Sequence, residues 1–408
     1  MLRPGHGVAL LTLALLIFGV VMVNSAGLLV GASVPNVTYD SVFLGAPMQH
    51  AMLAVAAMAL GTMIPLRRFE AARGWRSPAP WLLLGSVLLL LLVWAPIGIT
   101  MNASSRWLEV GGVRFQASEF AKWTLPFFLA WFLTRPAIKV ERPIRGLLPS
   151  ILVIGLVTGL IAIEDFGTAF LVGCVSLVLL LGAGARLWHL LTLAPLALVA
   201  LVVGIIAEPY RVTRLMTYLD PWADPEGDGW HIIESMRAIS GGGVMGRGLG
   251  AGEQKFDLTS DTTDFIFSII CEELGMVGAA LVIAAFIGLM LCGLAIICDR
   301  REGGDGREHR SEPFVRLLGL GVILTIGLQA FFNILVTTAL VPTKGIALPL
   351  ISRGGTGWIL TAFCLGLVIA IERGRTRARA CSTEPTPSDS LSRSPVATTG
   401  EPVEAMSL

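Results

Sequence analysis

Residues 264–298 read DFIFSIICEELGMVGAALVIAAFIGLMLCGLAIIC, and no charged residue follows Glu273 in this stretch. A helix needs about 20 apolar residues to cross the roughly 30 Å hydrocarbon core of a bilayer. The stretch therefore predicts a membrane-spanning helix. Because it is longer than a single crossing requires, we expect it to tilt or to break at Gly275 or Gly278.

Other apolar stretches of near-spanning length occur along the chain. The sequence is 54% hydrophobic and only 14% charged, a composition that excludes an ordinary soluble domain. The predicted fold is an all-α polytopic membrane protein of about ten transmembrane helices, with a large loop at 208–263 between spans seven and eight. The remaining spans are predicted at 8–29, 48–64, 80–100, 116–134, 147–163, 167–184, 188–207, 314–340 and 354–372.

The end of the chain differs in composition from the membrane domain, which is predicted to cover residues 1–372. From about residue 380 the sequence is rich in Ser, Thr, Pro and Glu and has no apolar periodicity. Such a segment cannot bury enough surface to offset the entropy lost on folding. Residues 373–408 are therefore predicted to be a disordered tail.

Lysine and arginine are concentrated in alternate loops, which the positive-inside rule assigns to the cytoplasm. These loops are 65–79, 135–146 and 299–313, together with Arg186 and the start of the tail. With ten spans, both termini are predicted to be cytoplasmic and the loop at 208–263 to be extracytoplasmic.

Basic residues also occur on the predicted outer face, where the orientation rule disfavours them. They include Arg106, Arg214, Lys255 and Lys344. Binding of an anion such as a lipid diphosphate is one explanation. The alternative is that outer-loop arginines pair with nearby aspartates and only order the loop; those aspartates are Asp220, Asp224 and Asp228.

The sequence also excludes some classes of function. A net charge of +1 provides no basic field for nucleic-acid binding. The six cysteines lack metal-ligand or CxxC spacing and are predicted to be free thiols, and the five histidines are scattered. A transition-metal site built by the protein alone is therefore not expected.

Four ordered motifs identify a family. They are NASSRW and FQASEFAK at 102–107 and 115–122, DFGTA at 165–169, a long segment from Arg214 that ends in TDFIF and EELG at 263–275, and Asn333 followed by VPTKG at 341–345 and ISRGGT at 351–356. Together they resemble the signatures of the FtsW/RodA/SpoVE (SEDS) family over residues 8–372. The Pro-Thr-Lys-Gly form is more similar to the division branch, FtsW, than to the elongation branch, RodA.

The chain departs from the family's usual motifs at several positions. The departures are Ala117 and Glu164 for prolines, His231 and Glu234 for residues that are more often glutamine, Arg353 for tyrosine, and Thr356-Gly357 for a serine pair. Two of these departures, Arg353 and the glycine at 357, add some weight to a third interpretation besides enzyme and transporter, namely a non-catalytic scaffold that activates a penicillin-binding protein.

The resemblance implies a peptidoglycan glycosyltransferase that polymerises lipid II at the plasma (inner) membrane, at the division septum for the division branch. It implies a class B penicillin-binding protein and divisome proteins as partners, in addition to membrane lipids. The main alternative is a lipid II flippase, because charged residues in spans suit transport as well as catalysis. A divalent cation, Mg²⁺ or Mn²⁺, held with the diphosphate is the one cofactor left open.

Asp264 is the candidate catalytic base. It lies between the long loop and the eighth span, where partial desolvation can raise the pKa of a carboxylate. An aspartate at a helix start is more often a cap or a partner of the helix dipole. The resemblance favours catalysis, because the family's activity depends on the aspartate of the TDFIF motif.

The remaining site candidates are assigned to substrate binding. Lys344 is foremost among the outer-loop cations, with Arg106, Lys255 and Arg214 after it. Glu119 and Lys122 are three residues apart in the fourth span and form either a satisfied structural pair or part of the binding cavity. Ser352, from the fourth motif, is also assigned to substrate binding.

Overall fold

The computed structural model describes residues 3–27, 44–66, 69, 74–93, 98–101, 104–110, 113–254, 263–299 and 312–383. Helices account for most of them. Their bounds are α1 Pro4–Ala26, α2 Ala46–Met63, α3 Pro78–Leu92, α4 Ala117–Leu133, α5 Leu148–Glu164, α6 Phe166–Gly182, α7 Leu187–Leu191, α8 Ala194–Ile206, α9 Pro209–Leu219, α10 Trp230–Gly242, α11 Ile266–Cys298, α12 Glu312–Thr337 and α13 Gly355–Thr383.

Every predicted span overlaps a helix, and the seventh is divided between α7 and α8. Five of the helical segments in the described residues are long and apolar enough to cross a membrane, counting α7 and α8 as one, and three shorter helices are also apolar. The predicted all-α polytopic fold is confirmed. Helix α13 continues past residue 373 to Thr383, while the remainder of the predicted tail lies outside the described residues.

A small antiparallel sheet precedes α4 and was not predicted. Its strands are β1 Gly98–Met101, β2 Ser104–Val110 and β3 Val113–Gln116, in the order β1-β2-β3. The prediction that the third span continues to residue 100 was wrong, because α3 ends at Leu92. Residues 98–116 are rich in β-branched and aromatic side chains, which favour strands over helix.

Glycines allow close contact between α2 and α13. A Cβ atom at Gly61 would lie 2.4 Å from the carbonyl oxygen of Phe363 and 3.1 Å from the Cα of Gly366. Small residues at such crossings let two backbones approach and gain dispersion contacts, which drive helix association where lipid replaces water. This pair forms one side of the bundle, and α1 packs between α13 and α11.

Helix α8 makes less packing contact with the bundle than α2 and α13 do, since none of its residues is buried. Arg211 at the start of α9 donates hydrogen bonds to the carbonyl oxygens of Gly204 (2.6 Å) and of Ala162 (2.9 Å). The ring of Phe166, at the start of α6, lies against Gly204 and 5.1 Å from the Arg211 guanidinium. A polar contact at one end therefore holds α8 to α5 and α6.

Helix α11 is broken at Gly275, which is one of the two positions where a break was predicted. Gly275 has φ 66° and ψ −163°, a conformation that is essentially restricted to glycine. The glycine-rich segment 241–250 bonds the backbone groups that the break frees. The N–H groups of Met276 and Val277 donate to the carbonyls of Gly243 (3.0 Å) and Val244 (3.3 Å).

The same segment is bonded to the turn before the break. The N–H groups of Arg247 and Gly248 donate to the carbonyls of Glu272 and Glu273. Both glutamate side chains are buried. The Glu272 carboxylate accepts the N–H of Glu253 at 2.7 Å, and that of Glu273 accepts the hydroxyl of Ser25 at 2.6 Å.

We predict that Gly275→Ala destabilises the protein by about 2 to 3 kcal/mol, because alanine is strained at this φ and ψ. Its Cβ would also lie 2.4 Å from the backbone nitrogen of Gly246. The unfolding temperature of the detergent-solubilised protein measures the effect. Gly155→Ala in α5 is the matched control, since nothing lies within 4 Å of its Cβ position. Equal unfolding temperatures for the two variants would contradict the prediction.

Candidate functional site

Asp264 lies half-buried in the turn 263–265 that leads into α11. Its backbone is held by Asn333 of α12, a fully buried residue. The Asn333 side-chain amide donates one hydrogen bond to the carbonyl of Asp264 (2.8 Å) and another to that of Ile346 (2.7 Å). One amide group thus joins the Asp264 turn to the loop between α12 and α13.

Ser352 makes a second link between the same two segments. Its hydroxyl donates to the carbonyl of Thr263 at 2.6 Å and accepts the N–H of Leu348 at 2.7 Å. The side chain is 1% exposed. The structure therefore places Ser352 against the backbone that carries Asp264, and its predicted contact with substrate stays a prediction.

Lys344 lies in the same loop and is partly buried against aromatic rings. Its ammonium is 4.7 Å from the ring centre of Phe170 and 5.5 Å from that of Phe166. Within the part of the chain that the structure describes, the ammonium has no hydrogen bond or ion pair. Burial lowers the pKa of Lys344, and the charges of Cys174 and Asp165 only partly oppose this shift.

The charge of Asp165 acts on the pKa of Lys344, but the carboxylate of Asp165 is hydrogen-bonded to another residue. Its two oxygens accept the backbone N–H (3.0 Å) and the hydroxyl (2.8 Å) of Thr168 and so cap α6. Lys344 is therefore a desolvated cation without a hydrogen-bonding anion among the described residues. Such a group is suited to receive an anion from a ligand.

Glu119 and Lys122 form a pair within α4. The Lys122 ammonium is 2.7 Å from each oxygen of Glu119 and 2.8 Å from the side-chain oxygen of Gln329. Three acceptors therefore match its three N–H donors. The amide of Gln329 in turn donates to the carbonyl of Ala347 at 2.8 Å. In this structure Glu119 and Lys122 form a structural ion pair, the first of the two predicted alternatives. Through Gln329 the pair is also linked to the loop that carries Lys344.

Arg214 is exposed on α9, and its guanidinium lies 5.6 Å from the ring centre of Tyr210. It has no ion pair with an aspartate among the described residues. The carboxylates of Asp220 and Asp224 instead accept backbone N–H groups, those of Trp222 and Asp228 respectively. In the described part of the loop, these turns are therefore held by hydrogen bonds between aspartate side chains and the backbone. The alternative, ion pairs between arginines and these aspartates, is not seen there.

Two predicted cations have no described side chain. Arg106 lies on β2, but its side chain is outside the description, and Lys255 lies wholly outside the described residues. Within the described ranges, no three His, Cys, Asp or Glu side chains are grouped as a metal site. The site's geometry therefore consists of the Asp264 turn, the Lys344 loop and the side chains that join them.

Asn333 and His231 are two residues of this site that the prediction did not include. Both were noted in the motifs, but no local pattern gave either a role. Their partners are distant in sequence: Asn333 bonds the carbonyl of Asp264, and the ring of His231 stacks on Phe265 with centres 5.8 Å apart. Only the tertiary structure shows these contacts.

The sequence matches the model of the FtsW/RodA/SpoVE family, described as "Cell cycle protein", over residues 6–377. It is 35% identical over 368 residues to the probable peptidoglycan glycosyltransferase FtsW of Coxiella burnetii, covering 89% of this chain and 95% of that protein. It is 37% identical over 375 residues to the protein of that name from Thioalkalivibrio sulfidiphilus, covering 91% and 90%.

The fold is also similar to a solved structure. The match is to a chain described under "Structural coordination of polymerization and crosslinking by a peptidoglycan synthase complex". The TM-score is 0.70 at 27% identity, and the match covers 90% of this chain and 97% of that one. The polytopic membrane architecture is therefore common to both.

We predict that Lys344→Met raises the unfolding temperature. The pKa of Lys344 is lower in the folded than in the unfolded chain, so the cation opposes folding at neutral pH. In the wild type, the free energy of unfolding should rise as the pH increases from the lowered pKa towards 10.5, and this rise should be absent in the variant. The exposed Lys139→Met is the control. A variant less stable than wild type at pH 7 would refute this account of Lys344.

Proposed function

Since the chain belongs to the FtsW/RodA/SpoVE family, we propose that it is a peptidoglycan glycosyltransferase that polymerises lipid II into glycan strands for septal wall synthesis. Relatives that match over most of their length are named as probable peptidoglycan glycosyltransferases. The observation that carries the mechanism is the position of the half-buried Asp264. The side chain of Asn333 links the backbone of Asp264 to the loop that contains Lys344.

The reaction joins two lipid-linked disaccharides. The 4-hydroxyl oxygen of an acceptor GlcNAc attacks the anomeric carbon of a donor MurNAc. The bond from that carbon to the diphosphate breaks, and the diphosphate keeps the electron pair. Attack from the opposite face inverts the α-linked donor to a β-1,4 bond. Asp264 takes the proton of the attacking hydroxyl as general base.

The leaving undecaprenyl diphosphate needs positive charge as the bond breaks. Lys344 supplies it most directly, because its ammonium is desolvated and has no hydrogen-bonding anion among the described residues. Arg214 is exposed on the same loop side of the bundle and adds a second cation. Arg106 and Lys255 are assigned to the same role on the family motifs. A divalent cation, Mg²⁺ or Mn²⁺, is proposed to accompany the diphosphate.

The described residues give no dedicated ligand set for that cation. Mg²⁺ in phosphate chemistry is commonly held by one or two carboxylates together with the substrate's phosphates. Asp264 is the carboxylate at the site, and its roles as base and as ligand would compete. The cation is therefore proposed to arrive with, and to be held chiefly by, the diphosphate.

The protein is a multi-pass membrane protein. We place it in the plasma (inner) membrane with both termini in the cytoplasm, so that loop 208–263 and Asp264 face the side where lipid II is polymerised. The alternate basic loops support this orientation. A class B penicillin-binding protein is the proposed partner, supported by the similarity to a chain of a peptidoglycan synthase complex. Other divisome proteins and the division septum follow from the FtsW-like relatives.

We predict that Asp264→Asn and Asp264→Ala form no glycan polymer from labelled lipid II, when each is purified with its penicillin-binding partner. Asparagine keeps the size of the side chain but cannot accept the proton. Asp228→Asn, an exposed aspartate of the same loop, is the matched control and should retain wild-type activity.

The outcomes of this experiment separate the alternatives. Full activity of the Asp264 variants would assign the base to another residue. A wild type that makes no polymer, but moves lipid II across vesicle membranes, would indicate a flippase. A wild type with neither activity that still stimulates its partner's transpeptidation would indicate a scaffold.

A second prediction concerns the residue that positions Asp264. Asn333→Leu removes both hydrogen bonds to the carbonyls of Asp264 and Ile346 and should reduce turnover by about 100-fold, the typical effect of displacing a reacting group by 1 Å. Asn24→Leu is the control, because among the described residues that side chain bonds within its own helix alone, to Val20. Unchanged turnover in Asn333→Leu would show that this amide does not position the base.

A further inference from the structure

His231 lies beside the turn that carries Asp264. Its imidazole stacks on the ring of Phe265, with the planes 19° apart and the ring centres 5.8 Å apart. Phe265 directly follows Asp264 and is itself buried. An aromatic stack of this kind fixes the orientation of both rings.

Helix α10, which carries His231, is firmly attached to the bundle. The Ser235 hydroxyl, one turn after His231, donates to the carbonyl of Thr337 in α12 at 2.6 Å. The same oxygen is 2.6 Å from the hydroxyl of Ser268 in α11. His231 is therefore held in place relative to the starts and ends of the elements that form the site.

The two ring nitrogens of His231 have different surroundings. Nδ1 is buried and has no hydrogen-bond partner among the residues that the structure describes. A proton on Nδ1 would be a buried donor without an acceptor, which is costly. The tautomer with the proton on Nε2 avoids that cost, and because the side chain is only half-buried, Nε2 can reach a ligand.

The charges around His231 favour the neutral ring. Burial lowers its pKa, and the positive charge of Arg214 lowers it further. On its own helix, Glu234 is buried and paired with Arg237 rather than with the imidazole. At neutral pH the imidazole therefore presents one N–H donor.

We propose that His231 is a substrate-binding residue, whose Nε2–H donates a hydrogen bond to an oxygen of the lipid-linked sugar held beside Asp264. This rests on the proposed glycosyltransferase function. A glutamine amide is also a neutral N–H donor, so a glutamine at position 231 can supply the same hydrogen bond.

Three variants separate the donor from the stack. His231→Gln keeps a donor, His231→Phe keeps an aromatic ring on Phe265 without a donor, and His231→Met matches glutamine in length but has neither. The initial rate of polymerisation is measured against lipid II concentration for the full chain with its penicillin-binding partner. Unfolding temperatures establish that each variant is folded.

The expected result is that His231→Gln stays within about twofold of wild type. His231→Phe and His231→Met should each raise KM about tenfold with kcat little changed, as loss of one neutral hydrogen bond to substrate implies. If His231→Phe matches wild type while His231→Met is impaired, the stack is what matters and the proposal is overturned. It is also overturned if all three variants match wild type, or if His231→Gln is as impaired as His231→Met. A wild type without polymerase activity would instead refute the proposed function itself.

Discussion

In apolar surroundings, a helix can be interrupted only where other parts of the chain bond the backbone groups that the interruption frees. Helix α11 meets this requirement at Gly275 through the glycine-rich segment 241–250, which bonds its backbone on both sides of the break. The buried carboxylates of Glu272 and Glu273 add hydrogen bonds from the parts of the chain that flank it. The glycine-rich segment is thus part of the hydrogen bonding of α11.

At the start of α11, side chains likewise bond the free backbone groups, and these bonds form the candidate site. Asp264 lies in the turn that leads into α11, and the side chains of Asn333 and Ser352 donate hydrogen bonds to the carbonyls of Asp264 and Thr263. Ser352 belongs to the loop that carries Lys344, and Asn333 also donates a hydrogen bond to the carbonyl of Ile346 in that loop. The base and the cation are therefore positioned through a shared set of backbone bonds. The ion pair of Lys122 supports the same loop through Gln329 and the carbonyl of Ala347.

Much of the architecture could be predicted because it depends on local composition. Apolar runs located the spans, and a long run with glycines gave the break at Gly275. The β-sheet at 98–116 was missed because residues 101–115 were assigned to a loop between two spans, and the pairing of such short strands is not visible in local composition. The roles of Asn333 and His231 could not be predicted, since each depends on a partner that only folding brings near. The motif resemblance gave Asp264 its predicted role, while the structure added the contacts that hold it.

Helix α8 has a different relation to its surroundings from the rest of the bundle. None of its residues is buried, and one polar contact at Arg211 joins it to α5. Together, α7 and α8 span 20 residues from Leu187 to Ile206, about 30 Å of helix, which is close to the thickness of a bilayer core. With little protein packing to fix its angle, its tilt is set by lipid. A thinner or thicker bilayer would therefore be accommodated first by this helix, pivoting about Arg211, while the packed helices keep their arrangement.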